Sequence, residues 1–190
     1  FNIHRIMRHI FIYILLLSSI LSGSAQNHPI DYFQAPLDIP LILSGTFGEL
    51  RSNHFHAGID IKTQGASGHK VYAVADGYVS RIKVSPWGYG KALYITHPNG
   101  YTSVYAHLSK YHGSIEEHVK AAQYSKESFV IELFPQKEDL AVKKGDLVAF
   151  SGNSGSSAAP HLHFELRTSK NEFPQNGLHF GFDIADDIAP

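Results

Sequence analysis

Turn-forming residues recur about every ten residues through the middle of the chain, and this spacing limits the fold more than any other feature. Short apolar or aromatic runs of strand length lie between the turns. These runs are residues 70–75, 78–84, 91–97, 101–107, 127–134, 147–150 and 161–167. Short strands separated by close turns are typical of antiparallel sheets. We therefore predict a mainly β chain that forms a compact antiparallel β-sheet domain.

One of these turns carries a specific signature. Asp76-Gly77 separates the run 70–75 from the run 78–84. A two-residue Asp-Gly loop fits the twist of two paired strands. The sequence therefore predicts a hairpin at this position.

Composition argues against several classes of partner. The chain has 190 residues, of which 43% are hydrophobic, and a formal net charge of −1. These values fit one globular domain with its own core, and they give no reason to expect nucleic acid or anionic lipid as a partner. The sequence contains no cysteine, so we expect neither a disulfide framework nor a lipid-modified cysteine anchor.

Residues 1–25 have the pattern of a signal peptide. Two arginines precede the apolar run 10–21, which is shorter than the roughly 20 residues that span a bilayer. The small residues Gly23 and Ala25 then precede an expected cleavage site before Gln26. We therefore expect an exported chain without a membrane anchor in its mature form; the alternative is an uncleaved anchor.

Neither end of the sequence has the features of a natural terminus. The chain opens with Phe1, and its only methionine, Met7, is a candidate start. The segment from Phe182 to Pro190 has no turn, cap or charged terminus typical of a finished domain. We expect the natural protein to begin at Met7 and to continue beyond Pro190.

Two short motifs have the spacing of metal ligands. Residues an even number apart in an extended segment face the same side, so His56 and Asp60 share a face. For the same reason His161 and His163 share a face. Two imidazoles and one carboxylate suit a catalytic zinc ion, which keeps a fourth position open for water. His54, two residues before His56, is an alternative ligand or a polar wall of a pocket.

Six blocks of residues, each with its own pattern, follow one another between about residues 45 and 168. They are His56 with Gly58-Ile59-Asp60, Val71-Tyr72-Ala73-Val74-Ala75-Asp76-Gly77, Tyr105-Ala106-His107-Leu108-Ser109, Lys144-Gly145-Asp146, Gly152-Asn153-Ser154-Gly155 and Pro160-His161-Leu162-His163-Phe164-Glu165. In this order they resemble the LytM/lysostaphin family of zinc metalloendopeptidases. Ordered agreement over six blocks is far more specific than either histidine motif alone.

The resemblance implies a lysostaphin-type, duplicated-hybrid-motif-like β domain with a groove across its face. It implies that His56, Asp60 and His163 bind one Zn²⁺ ion. It also implies that His107 and His161 do not bind zinc but flank the attacking water and the scissile carbonyl. A histidine can act there as general base or as the donor to the oxyanion, and the sequence leaves open which of the two does which.

The activity that the resemblance implies is hydrolysis of peptide bonds in peptidoglycan, within stem peptides or cross-bridges. Export to the periplasm or cell envelope agrees with that substrate. Two alternatives stay open. The domain could bind peptidoglycan or activate another hydrolase without chemistry of its own, or it could hold a structural zinc with His54 as a fourth ligand. Nothing in the sequence indicates the oligomeric state.

These inferences divide the chain into parts. After the signal peptide we expect an extended lead-in arm at 26–44, the catalytic domain at 45–168 and a C-terminal tail at 169–190.

The chain departs from the family at an insertion, residues 111–140. Ser114 and Glu117 have the spacing of a capping box, which predicts a short helix to about Tyr124. Because the insertion begins four residues after His107, we expect a flap beside the groove that selects peptides; the alternative is a cover over a sheet edge.

Overall fold

The computed structural model describes residues 28–185. The predicted signal peptide at 1–25, the candidate start Met7 and the end of the tail lie outside the described residues. The described part is mainly β, with antiparallel strands and one short α-helix, so the predicted fold class is confirmed. Within residues 28–185, no helix has the length and apolar character needed to cross a membrane.

Twelve strands, one α-helix and one 3₁₀ helix make up the regular structure of the described residues. In chain order they are β1 (Leu43–Gly45), β2 (Ile59–Lys62), β3 (Lys70–Tyr72), β4 (Gly77–Val84), β5 (Lys91–Thr96), β6 (Tyr101–Ala106), β7 (Lys110–Tyr111), α1 (Gly113–Ser125), β8 (Ile131–Leu133), β9 (Ala141–Val142), β10 (Leu147–Phe150), β11 (His161–Thr168), β12 (Pro174–Gln175) and the 3₁₀ helix (Gly177–Phe180).

The strands form two antiparallel sheets. The main sheet has the order β1-β2-β11-β6-β5-β4-β8, with β12 paired to β11 and β9 paired to β4. The smaller sheet has the order β3-β10-β7. One face of the main sheet buries the principal core, which includes Leu162 and Phe164 of β11. Side chains alternate along a strand, so His161 and His163 lie on the opposite face.

The hairpin predicted at Asp76-Gly77 is wrong, because the strands on either side belong to different sheets. β3 pairs with β10, whereas β4 pairs with β5, β8 and β9. The Asp76 carboxylate accepts hydrogen bonds from the Lys144 backbone N–H at 2.8 Å and from Lys143 Nζ at 3.0 Å. Asp76 thus ties the crossover between the sheets to the turn before β10.

The packed unit is larger than the predicted domain at 45–168. Phe33, Leu37 and Leu41, from the expected lead-in arm, are buried in the principal core, and so is Phe180 from the expected tail. The backbone before β1 is also bonded to the fold, since the Gln34 N–H donates to the Val74 carbonyl at 2.9 Å. This segment lacks the period of a helix or strand, so the sequence pattern did not show that it packs.

The predicted helix in the insertion is confirmed, but its cap is not the predicted one. Helix α1 begins at Gly113, and its N-cap, His112, makes no side-chain cap bond. Glu116, rather than Glu117, reaches back to accept a hydrogen bond from the Tyr111 backbone N–H at 3.2 Å. The Ser114–Glu117 capping box is therefore wrong, because the helix starts one residue before Ser114.

The expectation of a flap beside the groove is also wrong. Strand β8 of the insertion pairs with β4, and three strands separate β8 from β11. Among the described residues, none between 111 and 140 lines the cleft that holds the predicted site residues. The insertion instead covers the far edge of the main sheet, where an unpaired strand would otherwise be exposed.

The burial of the segment before β1 generates a stability test. Leu37→Ala should lower the free energy of unfolding by about 2–5 kcal/mol, because it leaves a cavity in the core. Ile30→Ala in the same segment should change it by no more than about 0.5 kcal/mol, because Ile30 is 62% exposed. Urea denaturation of both variants checks this. Equal, small effects would mean that the segment does not pack on the fold.

Candidate metal centre

The pairing of three neighbouring strands brings two of the predicted ligands together. In the β2–β11 ladder Asp60 lies opposite His163, and in the β11–β6 ladder His163 lies opposite Ala106. Residues directly opposite one another in an antiparallel pair share a face. Asp60 and His163 are therefore neighbours on the face that does not hold the principal core, and both are buried.

His56 reaches the same point from a turn rather than from a strand. The turn segment, residues 48–56, closes on itself: the His56 N–H donates to the Glu49 carbonyl at 2.8 Å, and the Gly48 N–H donates to the His56 carbonyl at 2.9 Å. The His56 side chain is also buried. Backbone hydrogen bonds thus hold this imidazole against β2.

The donor atoms of these three residues form a compact triangle. His56 Nε2 lies 3.1 Å from Asp60 Oδ1 and 3.0 Å from His163 Nδ1, and His163 Nδ1 lies 2.9 Å from Asp60 Oδ1. Ligands about 2.05 Å from a tetrahedral zinc lie about 3.3 Å apart. In the part of the chain that the structure describes, these three residues are the one group of this kind that could hold a metal ion.

The outer hydrogen bonds of the two imidazoles set which nitrogen carries the proton. His56 Nδ1 lies 2.8 Å from the Thr46 carbonyl oxygen, and His163 Nε2 lies 2.8 Å from Glu165 Oε1. Both of these oxygens accept, so both nitrogens donate. In the neutral form of each ring, which is the form that binds a metal, His56 Nε2 and His163 Nδ1 carry lone pairs directed toward Asp60 Oδ1. Three such ligand atoms about 3 Å apart fit a cation between them.

Asp60 is ionised in this setting. Burial alone would raise the pKa of its carboxyl, but the imidazoles of His161, His163 and His56 lie against it and hold that pKa well below its usual range. A metal-binding carboxylate must be deprotonated, so Asp60 is in the required form.

Glu165 is a buried residue beside the candidate ligands that the motif analysis did not single out. It is fully buried and accepts hydrogen bonds from His163 Nε2, from Arg167 Nε at 2.6 Å and from the Tyr89 hydroxyl. Burial would raise the pKa of Glu165, but the bonds from His163 and Arg167 outweigh it and bring the pKa to about 2. Its position two residues after His163, on the same strand face, was the available signal.

His107 stands at the end of β6 with its backbone in the left-handed region, at φ +58°. Its Nδ1–H donates to the Ser154 carbonyl at 2.9 Å, which directs Nε2 away from this bond. Burial lowers the pKa of His107 to about 4, so the ring is neutral near pH 7. The ring centroid lies 4.7 Å from that of His161 and 5.9 Å from that of His163.

His161 lies beside the triangle without belonging to it. Its Nδ1 donates to the Ala159 carbonyl at 2.9 Å, and its Nε2 lies 3.4 Å from Asp60 Oδ1. Burial alone would lower the pKa of His161, but Asp60 and the Ala159 carbonyl raise it above its usual value. Both His107 and His161 thus have Nδ1 fixed by a backbone carbonyl.

His54 occupies the wall of the cleft. Its ring is exposed, and its Nδ1 lies 2.6 Å from the Asn53 side-chain oxygen. It is not part of the group of described residues that could hold a metal. A structural zinc site with His54 as fourth ligand therefore has no support in this geometry.

All five predicted site residues line one cleft of about 780 Å³. Its walls are the turn segment 48–56, the loop at Gly88 and Tyr89, and the loop 156–160 that leads into β11. Gly88 N–H donates to Ser156 Oγ at 2.9 Å, so two of these walls are bonded to each other. The three candidate metal ligands lie in this cleft together with His107 and His161.

Comparison with known proteins agrees with this site. Residues 54–124 match the model of Peptidase family M23. The predicted LytM/lysostaphin-type resemblance is confirmed by this family-model match.

Three relatives of known sequence illustrate the range of this similarity. The chain is 36% identical over 111 residues to an uncharacterized metalloprotease of Haemophilus influenzae, covering 58% of this chain and 18% of the relative. It is 34% identical over 118 residues to the DD-carboxypeptidase/endopeptidase Mpg of Neisseria meningitidis serogroup B, covering 62% and 21%. It is 30% identical over 146 residues to the murein hydrolase activator NlpD of Salmonella dublin, covering 77% and 31%. The chain spans about a fifth of the length of the first two relatives.

Solved structures show the same fold. The catalytic domain of the prophage-encoded M23 protein EnpA from Enterococcus faecalis, solved as a point mutant, matches with a TM-score of 0.55 at 24% identity, covering 76% of this chain and 94% of that one. The catalytic domain of lysostaphin from Staphylococcus simulans matches with a TM-score of 0.54 at 23% identity, covering 74% and 91%.

The Glu165 network generates a test with an internal control. Glu165→Gln should lower the free energy of unfolding by about 3–5 kcal/mol, because it leaves the partly buried Arg167 without its main charged partner. Glu172→Gln should cost no more than about 1 kcal/mol, because this carboxylate bonds the same arginine at the surface. Denaturant unfolding measures both. Similar losses in the two variants would contradict the assigned role of Glu165.

Proposed function

We propose that His56, Asp60 and His163 hold one zinc ion and that the chain hydrolyses peptide bonds. The observation that carries this proposal is the triangle of three potential ligand atoms about 3 Å apart, with the outer nitrogen of each imidazole already bonded to an oxygen. Two imidazoles and one carboxylate are a ligand set of catalytic zinc enzymes. The match to the M23 peptidase model supports zinc over other metals.

Two histidines outside the triangle are suited to the proton transfers of hydrolysis. Zinc with three protein ligands lowers the pKa of a water molecule to about 7 and polarises a carbonyl. His107 and His161 each present Nε2 at the cleft floor because their Nδ1 atoms are bonded to backbone carbonyls. One would accept the proton of the water and the other would donate to the oxyanion.

The substrate class that we infer is peptidoglycan, cut within its stem peptides or cross-bridges. The names of relatives support this, since one is a DD-carboxypeptidase/endopeptidase and another is a murein hydrolase activator. The open cleft is consistent with an extended peptide. We further infer export to the periplasm or cell envelope, on the strength of the signal-peptide pattern at 1–25.

The similarity to the activator NlpD supports a second candidate function. In that case the domain would bind peptidoglycan or stimulate another hydrolase without chemistry of its own. A domain of this kind has no need for three candidate metal ligands with oriented imidazoles, nor for His107 and His161 beside them. The complete set of polar groups in the cleft therefore favours catalysis.

The metal assignment has a direct test. His56→Ala, Asp60→Ala and His163→Ala should each lose stoichiometric zinc and peptidase activity, because each removes one of three ligands. His54→Ala should keep both, because His54 lies outside the triangle. Zinc content by atomic emission after dialysis against trace metal decides the matter. A His163→Ala protein with one zinc per chain would contradict the ligand set.

The roles of the other two histidines are tested separately. His107→Ala and His161→Ala should keep one zinc per chain but lose activity by about 100- to 10,000-fold, the usual effect of removing a positioned proton-transfer group. Zinc content and cleavage rates of the two variants are measured together. If either variant lost zinc as His56→Ala does, that histidine would belong with the ligands.

A further inference from the structure

Arg51 bonds Asp60, one of the three candidate metal ligands, at the carboxylate oxygen that does not face His56 and His163. Its Nη2 lies 2.8 Å from Asp60 Oδ2 and 3.0 Å from Glu49 Oε2. Asp60 therefore uses its two oxygens differently, since Oδ1 faces His56 and His163 whereas Oδ2 faces the guanidinium.

We infer that Arg51 is a positioning residue for the metal ligand Asp60. Its guanidinium holds Oδ2 so that only Oδ1 points toward the two imidazoles. The inference rests on the proposed function only as far as the metal site is concerned, and it does not depend on the reaction or the substrate.

The contact is more than a surface ion pair. Only 10% of the Asp60 side chain is exposed, so a carboxylate that lost this donor would stay desolvated. Hydrogen bonds to a charged group are stronger than neutral ones, and they fix its orientation. A buried carboxylate left free to rotate could present either oxygen, or both, to a cation.

The turn segment 48–56 couples this contact to another ligand. It carries Arg51 and His56 together, and the Arg51 N–H donates to the His54 carbonyl at 2.9 Å. The same closed turn thus positions the ligand His56 and also Arg51, which holds the ligand Asp60. A shift of the turn would move both.

Gly45 leaves the space in which Arg51 and Asp60 meet. A Cβ at residue 45 would lie 2.4 Å from Arg51 Nη2 and 2.6 Å from Asp60 Oδ2. Both distances are too short for real atoms, so any larger side chain would push the pair apart. Gly45→Ala therefore perturbs the same contact without removing either charge.

The test compares metal affinity across matched variants. Arg51→Met keeps an unbranched, mostly apolar stem but removes the guanidinium, and Arg51→Lys keeps the charge without the planar fork. Arg81→Met is the control, because Arg81 is similarly exposed and pairs with Glu132 on a different strand pair. Glu49→Gln is a second control, because Glu49 bonds Arg51 but not Asp60.

Zinc affinity is measured by competition with a chromophoric chelator, and cobalt(II) replaces zinc for visible absorption spectra. Arg51→Met and Gly45→Ala should weaken zinc binding by about 10- to 100-fold, the usual effect of losing an outer-shell partner of a ligand. Their cobalt spectra should change in intensity as the coordination of Asp60 changes. Arg51→Lys should recover part of the affinity, and both controls should match the parent chain.

Thermal unfolding of the metal-free variants separates a local effect from misfolding. Arg51→Met with parent-like unfolding, weakened zinc binding and a changed cobalt spectrum supports the inference. Arg51→Met with the parent's affinity and spectrum overturns it. A parent chain that binds no zinc overturns it together with the metal site. A parent chain that binds zinc but cleaves no peptidoglycan refutes the proposed function alone, because the affinity comparison still decides the role of Arg51.

Discussion

The register between β2, β11 and β6 is the constraint on which the site depends. It sets Asp60 opposite His163, and His163 opposite Ala106. Ala106 is the last residue of β6, and His107 follows it directly. A slip of one residue between β2 and β11 would turn either Asp60 or His163 into the principal core. The apolar residues that alternate with the ligands oppose such a slip. Leu162 and Phe164, which flank His163, are fully buried on the other face. Core packing and ligand geometry are thus fixed by one and the same pairing.

A second layer of hydrogen bonds orients the two imidazoles of the candidate metal site. The Thr46 carbonyl and the Glu165 carboxylate hold the outer nitrogens of His56 and His163, so the inner nitrogens face Asp60. Glu165 is in turn held ionised at low pKa by Arg167 and His163. Buried polar groups are favourable only when they are bonded. The same network therefore stabilises the fold and fixes the orientation of the two imidazoles toward Asp60.

The sequence predicted many of the strands well, and it singled out His56, Asp60 and His163, which the fold brings together, because both patterns depend on local spacing. The run 147–150, for example, is strand β10 with the same bounds. Long-range partners were harder to predict. Asp-Gly at 76–77 has a hairpin signature, but its strands join different sheets, and Asp76 is bonded to the turn before β10. Phe33 packs into the principal core from an irregular segment whose apolar residues show neither a helical nor a strand period. Arg51 acts through Asp60, a contact that only the folded turn creates.

The most direct test of the central claim is mass spectrometry of isolated peptidoglycan after incubation with the zinc-loaded chain. The account predicts fragments in which one peptide bond has gained a water while the glycan is intact, and it predicts that a chelator abolishes them. Unchanged peptides at full zinc occupancy would contradict it. If such a chain nevertheless increased the cleavage rate of a separate wall hydrolase, the activator function would replace the proposed peptidase activity.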